Sequence, residues 1–593
     1  MRKLLLVFLI FASSNWARPV AVRGSVLQET ALRRVNAPYF DGQLEWSETA
    51  IFWFGKNEQG IPSRNYADVR VGYTADSLQV RVTVVDYYLW YLENATVSDD
   101  LTAFDAVYLY LDTGHDRSAS PQADDYRFLL GSRHWPNEDA AQYRRQARGD
   151  GGGWDASWSG SWLDYGAMQW WCNPGPNSNE CGIDYGWTGI FTVPWETLGR
   201  SGPPPEGSLW GLGVQLLDRD DAPPAGYVEP DHWPETFEPD SPATWGELHF
   251  GAARFRPPEA VPEGTTVIRA ASPTDNTVED AWMGGGGVCG SGHEGGTEIN
   301  HGADTGLYVG SEIAPTHFPC FNKSYLRFAL DAVPAGKTII SATMTLHLWG
   351  NAGAPGEANP SWVHLFTVGD PWDEMTIHWN NAPLPRENVA ASWVYPLMAS
   401  VDWPGVAYHW DTTQAVAEAY ARGEAVSVAI YGSDTDQHSS KYLTSSETGD
   451  WNVAGRPALA VVWGRSTSTL QKSVAPVLAR TGQELTYTLR LVGSGRALTL
   501  VDPLPEGVGA PGPIQATVGT ASYNSASRRV EWNGTPDAGQ EVTIAFSVTV
   551  TATGPLALKN TATLTDPVVG STTASALVIA NALRVHLPVI LRH

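Results

Sequence analysis

Hydrophobic and polar positions alternate with a period of two at several places along the chain. Leu78, Val80, Val82 and Val84 are separated by Gln79, Arg81 and Thr83, which places the apolar set on one face of an extended strand. Ala342, Met344, Leu346 and Leu348 repeat the pattern, and Val542, Ile544, Phe546, Val548 and Val550 show it most clearly. Such alternation predicts antiparallel sheets with one face on a core and the other in water. A helical pattern stands out only in "DTTQAVAEAYARG", residues 411–423, with Asp411 as N-cap, Gln414 at capping-box spacing and Gly423 just past the end. In "PWDEMTIHWNNAP", residues 371–383, Met375, Ile377 and Trp379 alternate with Thr376 and His378. That run predicts a strand entered from a turn at Pro371, with Asp373 and Glu374 on opposite faces.

A chain of 593 residues exceeds the ~250–300 that one core usually serves. "RPPEAVPEG", residues 256–264, reads as an extended spacer, and "GRSTSTLQ", residues 464–471, interrupts the apolar pattern of "ALAVVW". The fold class is therefore all-β, with three consecutive β-sandwich domains at 30–253, 264–465 and 468–581. Ahead of them, residues 1–21 read as a signal peptide: Met1-Arg2-Lys3 is followed by an apolar run too short to span a bilayer, with cleavage after Ala17 or Ala21. No later apolar run reaches the ~18 residues of a membrane span, so the mature chain is expected to be secreted or held at the cell surface. Residues 582–593 form a tail with an LP pair but no sortase-type ending.

Composition sharpens this picture. The 59 Gly and 41 Pro favour turns over helices, and a formal charge of −26 disfavours nucleic acid and anionic membranes as partners. The four cysteines fall as Cys172 with Cys181 and Cys289 with Cys320. In an exported chain these near neighbours are expected to pair, the alternative being buried thiols.

Candidate chemistry is sparse. There is no His-Glu-x-x-His, no Gly-x-Ser-x-Gly and no phosphate loop. Acids cluster at Asp99-Asp100, with Asp105 beyond, at Asp124-Asp125, and in "DRDD", residues 218–221. Asp99, Asp100 and Asp105 form the set assigned to a structural Ca2+, against the alternative that these acids are simply solvated. Trp154, Trp158, Trp162, Trp170, Trp171 and Trp187 crowd a Gly- and Asp-rich segment. Flat rings beside polar groups suit the apolar faces of sugars, although core packing explains many tryptophans equally well.

Several motifs resemble known families. "FDGQLEW", "FDAVYLYLD", "FTVPWETLG" and "TWGELHF" resemble family nine carbohydrate-binding modules and their DOMON-like relatives. That resemblance implies a jelly-roll-like sandwich that binds glycan, often with calcium, between two tryptophans. The position before Asp105 where one such ring is expected reads "LTAF", and the second has Trp233 and Trp245 as candidates. "KSYLRFAL", "PWDEMTIHWNNAP", "YHWDTTQAVAEAYARG" and "RPALAVVW" resemble the DNRLRE family, related to disaggregatase, and imply a second, noncatalytic jelly-roll-like module. "LQKSVAPVLARTGQELTYTLRL", "LVDPLPEGV" and "LKNTATLTD" are similar to the Ig-like conserved repeat of bacterial surface proteins and imply a spacer.

Together these readings describe an exported polysaccharide-binding protein, not an enzyme, gripping glycan through Trp154, Trp158, Trp170, Trp171, Trp187 and Trp233. Two rivals stand beside it. One is a polysaccharide-degrading enzyme using acids such as Asp99, Asp124 or Asp220; the other is an adhesive or structural protein of the cell envelope.

Overall fold

The computed structural model describes residues 32–134, 139–170, 177–180, 183–253, 255–284, 296–311, 321–432, 438–567 and 570–582. They form an all-β molecule of stacked sandwiches, as the alternation predicts. Strand Ser77–Val85 turns Leu78, Val80, Val82 and Val84 inward, and Glu541–Val550 does the same with Val542, Ile544 and Phe546. The four cysteines and residues 1–21 lie outside the described residues.

In the first sandwich, strands Ala50–Glu58, Arg64–Tyr73, Ser77–Val85, Gly186–Pro194 and Leu163–Trp170 pair antiparallel in that order. The facing sheet is built on Leu209–Arg219, which pairs with Ala106–Asp112 on one side and with Tyr227–Trp233 and Gly246–Phe250 on the other. The second sandwich packs a sheet of Val278–Gly284, Phe321–Phe328, Val426–Gly432, Ser361–Thr367 and Glu387–Val394 against one organised on the long strand Thr338–Asn351. That strand pairs with Ala458–Ser466, Val406–Asp411 and Lys441–Thr444. The third sandwich faces Thr469–Ala475, Glu484–Val492 and Glu541–Val550 with Leu498–Pro503, Leu556–Asp566 and Gly570–Ala580.

Three local expectations change. The second half of the Pro-rich stretch is not a spacer: Ala260–Ile268 is a strand, paired along its length with Ala458–Ser466. The only α-helix among the described residues, Thr413–Arg422, has Thr412 at its N-cap position. Asp411 still satisfies the first turn by accepting from Thr413 N at 2.9 Å, while Gln414 turns to Glu387 and Glu418 instead of closing a capping box. Gly423 adopts the left-handed conformation expected at the helix end. Residues 371–383 are turns and not a strand. Asp373 Oδ1 accepts from Met375 N at 3.0 Å and Asp373 O accepts from Ile377 N at 2.9 Å, curling the chain before any ladder can form.

The largest departure from three beads on a string is the seam between the first two sandwiches. In Arg64–Tyr73, Ala67, Val69 and Val71 face the first core, so Tyr66, Asp68 and Arg70 face outward. These outward residues are also buried, together with Ile51 and Trp53, because the sheet carrying Lys323, Tyr325, Phe366 and Tyr431 lies against them. Trp53 meets Phe366 and Tyr431 edge-on at 5.1 and 5.2 Å. Asp68 holds Arg70 at 3.0 Å and accepts from the Tyr431 hydroxyl at 3.0 Å. Lys323 Nζ lies 3.9 Å from the Trp379 ring centroid and 4.9 Å from that of Trp53, and burial pulls its pKa down to about 7. Asn380 exchanges hydrogen bonds with the Asn57 backbone across the boundary. Trp372, Trp379 and Asn380 of the 371–383 stretch thus frame the seam.

Candidate functional site

Aromatic side chains collect on the outer surface of the second sandwich. Tyr308 and Tyr442 stand directly opposite each other on paired strands, alternating with the inward Leu307 and Leu443, and their rings meet at 4.9 Å. Trp349 sits beside Tyr442 at 5.5 Å and is steered by its Nε1 donating to Leu443 O at 3.1 Å. The line continues through Trp403, 6.5 Å from Trp349, to Trp451, which meets Trp403 edge-on at 4.8 Å. At the opposite end Tyr308 touches Trp282 at 4.6 Å, and Trp282 stacks on His301 at 3.7 Å. Asp304 Oδ2 fixes both of these, lying 2.8 Å from Trp282 Nε1 and 2.9 Å from His301 Nδ1.

Exposure separates the working end of this ribbon from its anchor. Trp282 is buried, but Trp403 and Trp451 are 51% and 67% exposed. Two adjoining exposed tryptophans are costly in water unless something covers them. Local chemistry keeps them out of the core. Trp403 rides a tight turn, "DWPG", in which Gly405 has φ +100 and pairs with Asp402 O. Trp451 rides the 3-10 turn Asp450–Gly455, beside the Asp450 carboxylate that pairs with the buried Arg456.

Next to the buried end lies a group of three acids. Asp280 is fully buried, one strand alternation from Trp282. Its backbone N donates to Glu374 Oε1 at 2.7 Å, and its Oδ2 accepts from Ser446 N at 2.9 Å. Asp280 Oδ1 and Glu447 Oε2 have no other donor; burial raises both groups, and Glu447 raises Asp280 further while Asp280 lowers Glu447, so the proton they share sits on Asp280. Burial raises Glu374 to about 7. Its folded pKa lies above its ordinary 4.5, so the folded state holds protons that the unfolded state has released. The stability this contributes is present below pH 4.5 and is lost as pH rises through about 7. In calorimetry, the melting temperature is expected to fall as pH rises across that window, with a shallower slope in Glu374→Gln.

The expected residues of the first sandwich are placed as follows. Trp187 and Trp233 are 0% and 1% exposed, and Trp233 packs on Phe52 at 4.2 Å. Rings with no open face serve the core, which corrects their assignment to a sugar platform. Trp154 is partly exposed, but Arg127 covers its ring at 4.8 Å and Trp245 stacks parallel at 6.4 Å. Trp158 is half-buried against Tyr126 and Phe128, lining a hollow of about 430 Å³ with Arg144 and Trp162. Trp170 ends the strand Leu163–Trp170, and Trp171 lies outside the described residues.

The acids sort differently from the expected set. Asp99 accepts from Thr96 N and Oγ1, and Asp100 from Thr102 N and Oγ1, so both close local turns. Asp105 is buried, with Trp90 N and Arg219 N on its two oxygens, and it lies within the electrostatic reach of Asp86 and Asp218. Carboxylate oxygens of Asp86, Asp218 and Asp220 all fall within 4.8 Å of one another, and Asp86 Oδ2 and both Asp218 oxygens have no hydrogen-bond donor. Burial and mutual repulsion raise Asp86, Asp105 and Asp218, and burial raises Asp220 to about 6. Buried carboxylate oxygens that converge without hydrogen-bond donors fit a hard divalent cation, which would displace the protons that burial otherwise favours. A second group, Asp112, Asp116 and Asp124, is more open.

Residues 293–459 match the model of carbohydrate-binding module family 96, and this stretch holds Tyr308, Trp349, Trp403, Tyr442 and Trp451. No curated protein matches the chain. Among solved structures, it is similar to a family 9 carbohydrate-binding module from Caldicellulosiruptor kristjanssonii in complex with cellotriose, at 16% identity over 39% of this chain and 100% of that one, TM-score 0.26. The same module in complex with glucose gives 16%, 38%, 98% and 0.25. The N-terminal domain of a Streptococcus gordonii adhesin is 9% identical over 92% of this chain and 94% of its own, TM-score 0.16. No helix among the described residues is long and apolar enough to cross a membrane.

Proposed function

We propose that this is an exported, noncatalytic protein that binds polysaccharide through the second sandwich, with the first sandwich as its rigid support. The observation that carries this reading is the exposed Trp403–Trp451 pair, continued by Trp349 and Tyr442 and lying inside the stretch that matches a carbohydrate-binding module. Aromatic faces stack on the C–H faces of sugar rings, and flanking carboxylates such as Asp450 accept from hydroxyls. A line of rings favours an extended chain over a single sugar. The principal platform thereby moves from the first sandwich, where Trp187 and Trp233 are core, to the second. The enzyme reading is weaker because Asp220 belongs to a buried acid group and Asp99 to a turn. Retention of the full chain on a panel of soluble and insoluble glycans tests the proposal, and no retention on any of them would sink it.

We also assign a structural Ca2+ to Asp86, Asp218 and Asp220, with Asp105 beside them. The ion would neutralise carboxylates that otherwise repel one another inside the first sandwich. Calcium at about 100 times its Kd is expected to add roughly 2.7 kcal/mol, raising the melting temperature of the fused first and second sandwiches by roughly 3 °C. Asp218→Asn should abolish the response. An identical melting curve with calcium and with chelator would remove the assignment.

A further inference from the structure

The third sandwich buries a lysine, an acid and an amide together. Lys472, on Thr469–Ala475, points from one sheet into the core, and Asp502, on Leu498–Pro503, points in from the other; both side chains are fully buried and paired with each other. Leu500 and Val501 pair with Leu564 and Thr563, which puts Asp502 opposite Ala562 and Asn560 two residues further along the same inward face. Asn560 is fully buried, and its amide lies against Asp502 and the Tyr487 hydroxyl. Even so, neither Asn560 Nδ2, Asn560 Oδ1 nor Asp502 Oδ1 is in a well-formed hydrogen bond. Tyr487 closes the site from the side, its ring centroid 5.0 Å from Lys472 Nζ.

As an ion pair this arrangement is poor. Two charges are withdrawn from water, and the amide beside them makes no well-formed hydrogen bond to offset that cost. As a set of reactants it is complete. We propose that the third sandwich forms an intramolecular isopeptide bond between Lys472 Nζ and Asn560 Cγ, with Asp502 as the proton carrier.

Proton transfer from the ammonium to the carboxylate produces both reactive forms at once, a neutral amine and a carboxylic acid. Burial favours that transfer, pulling Lys472 down to about 8 and pushing Asp502 up. The Nζ lone pair attacks Cγ while Asp502 gives its proton to the developing oxyanion at Oδ1. Asp502 then takes a proton from Nζ, and the proton on Oδ1 passes to Nδ2. The Cγ–Nδ2 bond breaks and ammonia leaves, carrying the two hydrogens of Nδ2 and one from the lysine. Asp502 ends protonated, as it entered the attack. A primary amine and a primary amide become a secondary amide and ammonia, with no oxidant or further reactant. The product ties the two sheets together in a segment that has no cysteine, since all four lie between residues 172 and 320.

The test is a tryptic digest of the unfolded full-length protein read by tandem mass spectrometry. The expected result is a branched peptide joining Lys472 to Asn560, lighter than the sum of its parts by one ammonia and uncleaved after Lys472. Asp502→Ala should yield the two linear peptides separately. Wild-type protein cleaved after Lys472, with a linear Asn560 peptide, would overturn the proposal and leave an ion pair. A linear Asn560 peptide that has lost ammonia by cyclising on its own backbone would overturn it equally. The wild-type digest decides by itself, so a variant that fails to fold does not blur the outcome.

Discussion

Polysaccharide retention is expected to fall by about 30-fold or more when Trp403 and Trp451 are both changed to alanine, the loss of about 2 kcal/mol typical of a central aromatic anchor. The two rings are 51% and 67% exposed and touch at 4.8 Å, so their removal leaves no cavity and should leave the melting temperature within about 1 °C of wild type. This separates them from Trp282, whose ring is buried between His301 and Tyr308; Trp282→Ala should cost fold and binding together. Trp154→Ala and Trp158→Ala are expected to change retention little. If those two variants lose binding while the Trp403/Trp451 variant keeps it, the platform belongs on the first sandwich.

The second large effect concerns the seam. Residues 32–253 produced alone are expected to aggregate, whereas residues 32–467 should remain soluble and melt in one transition. The reason is the face bearing Ile51, Trp53, Tyr66, Asp68 and Arg70, which only the second sandwich covers. Cutting the chain leaves a flat sheet of aromatic side chains in water, with the Asp68–Arg70 pair stripped of the Tyr431 hydroxyl. Within the intact pair, Trp379→Ala should cost about 3–5 kcal/mol, as large aromatic truncations in cores do. It also uncovers Lys323, whose ammonium the ring faces at 3.9 Å. Lys323→Met keeps the volume and removes the buried charge, so it should be close to neutral. Two well-separated calorimetric transitions for residues 32–467 would refute a fused pair.

The seam also shows why parts of the fold could not be read from the chain. In Arg64–Tyr73 every residue except Arg64 is buried, so the strand carries no clean alternation, because opposite faces serve two different cores. Residues 371–383 carried a strand-like alternation and became turns, since Asp373 captured the backbone of the residues that follow it. The candidate platform escaped sequence reading for a related reason. A count of tryptophans favoured the dense segment from Trp154 to Trp187, but density in sequence says nothing of which rings the core will take. A usable signal did exist in "DWPG" and "GDWNVAG", each of which sets a tryptophan in a turn with glycine and an acid. The acids behaved similarly. "DRDD" supplied Asp218 and Asp220, but their companion Asp86 lies more than a hundred residues earlier, brought there by strand order.

What the chain determined by itself was its all-β class, the inward faces of its regular strands and the end of its one described helix, because side-chain alternation and turn chemistry act over a few residues. Tertiary structure alone decided which tryptophans are core and which are displayed, which carboxylates meet, that the first two sandwiches share a seam, and that Lys472, Asp502 and Asn560 converge. Each of those depends on contacts between residues far apart in sequence, and local pattern carries no record of such contacts.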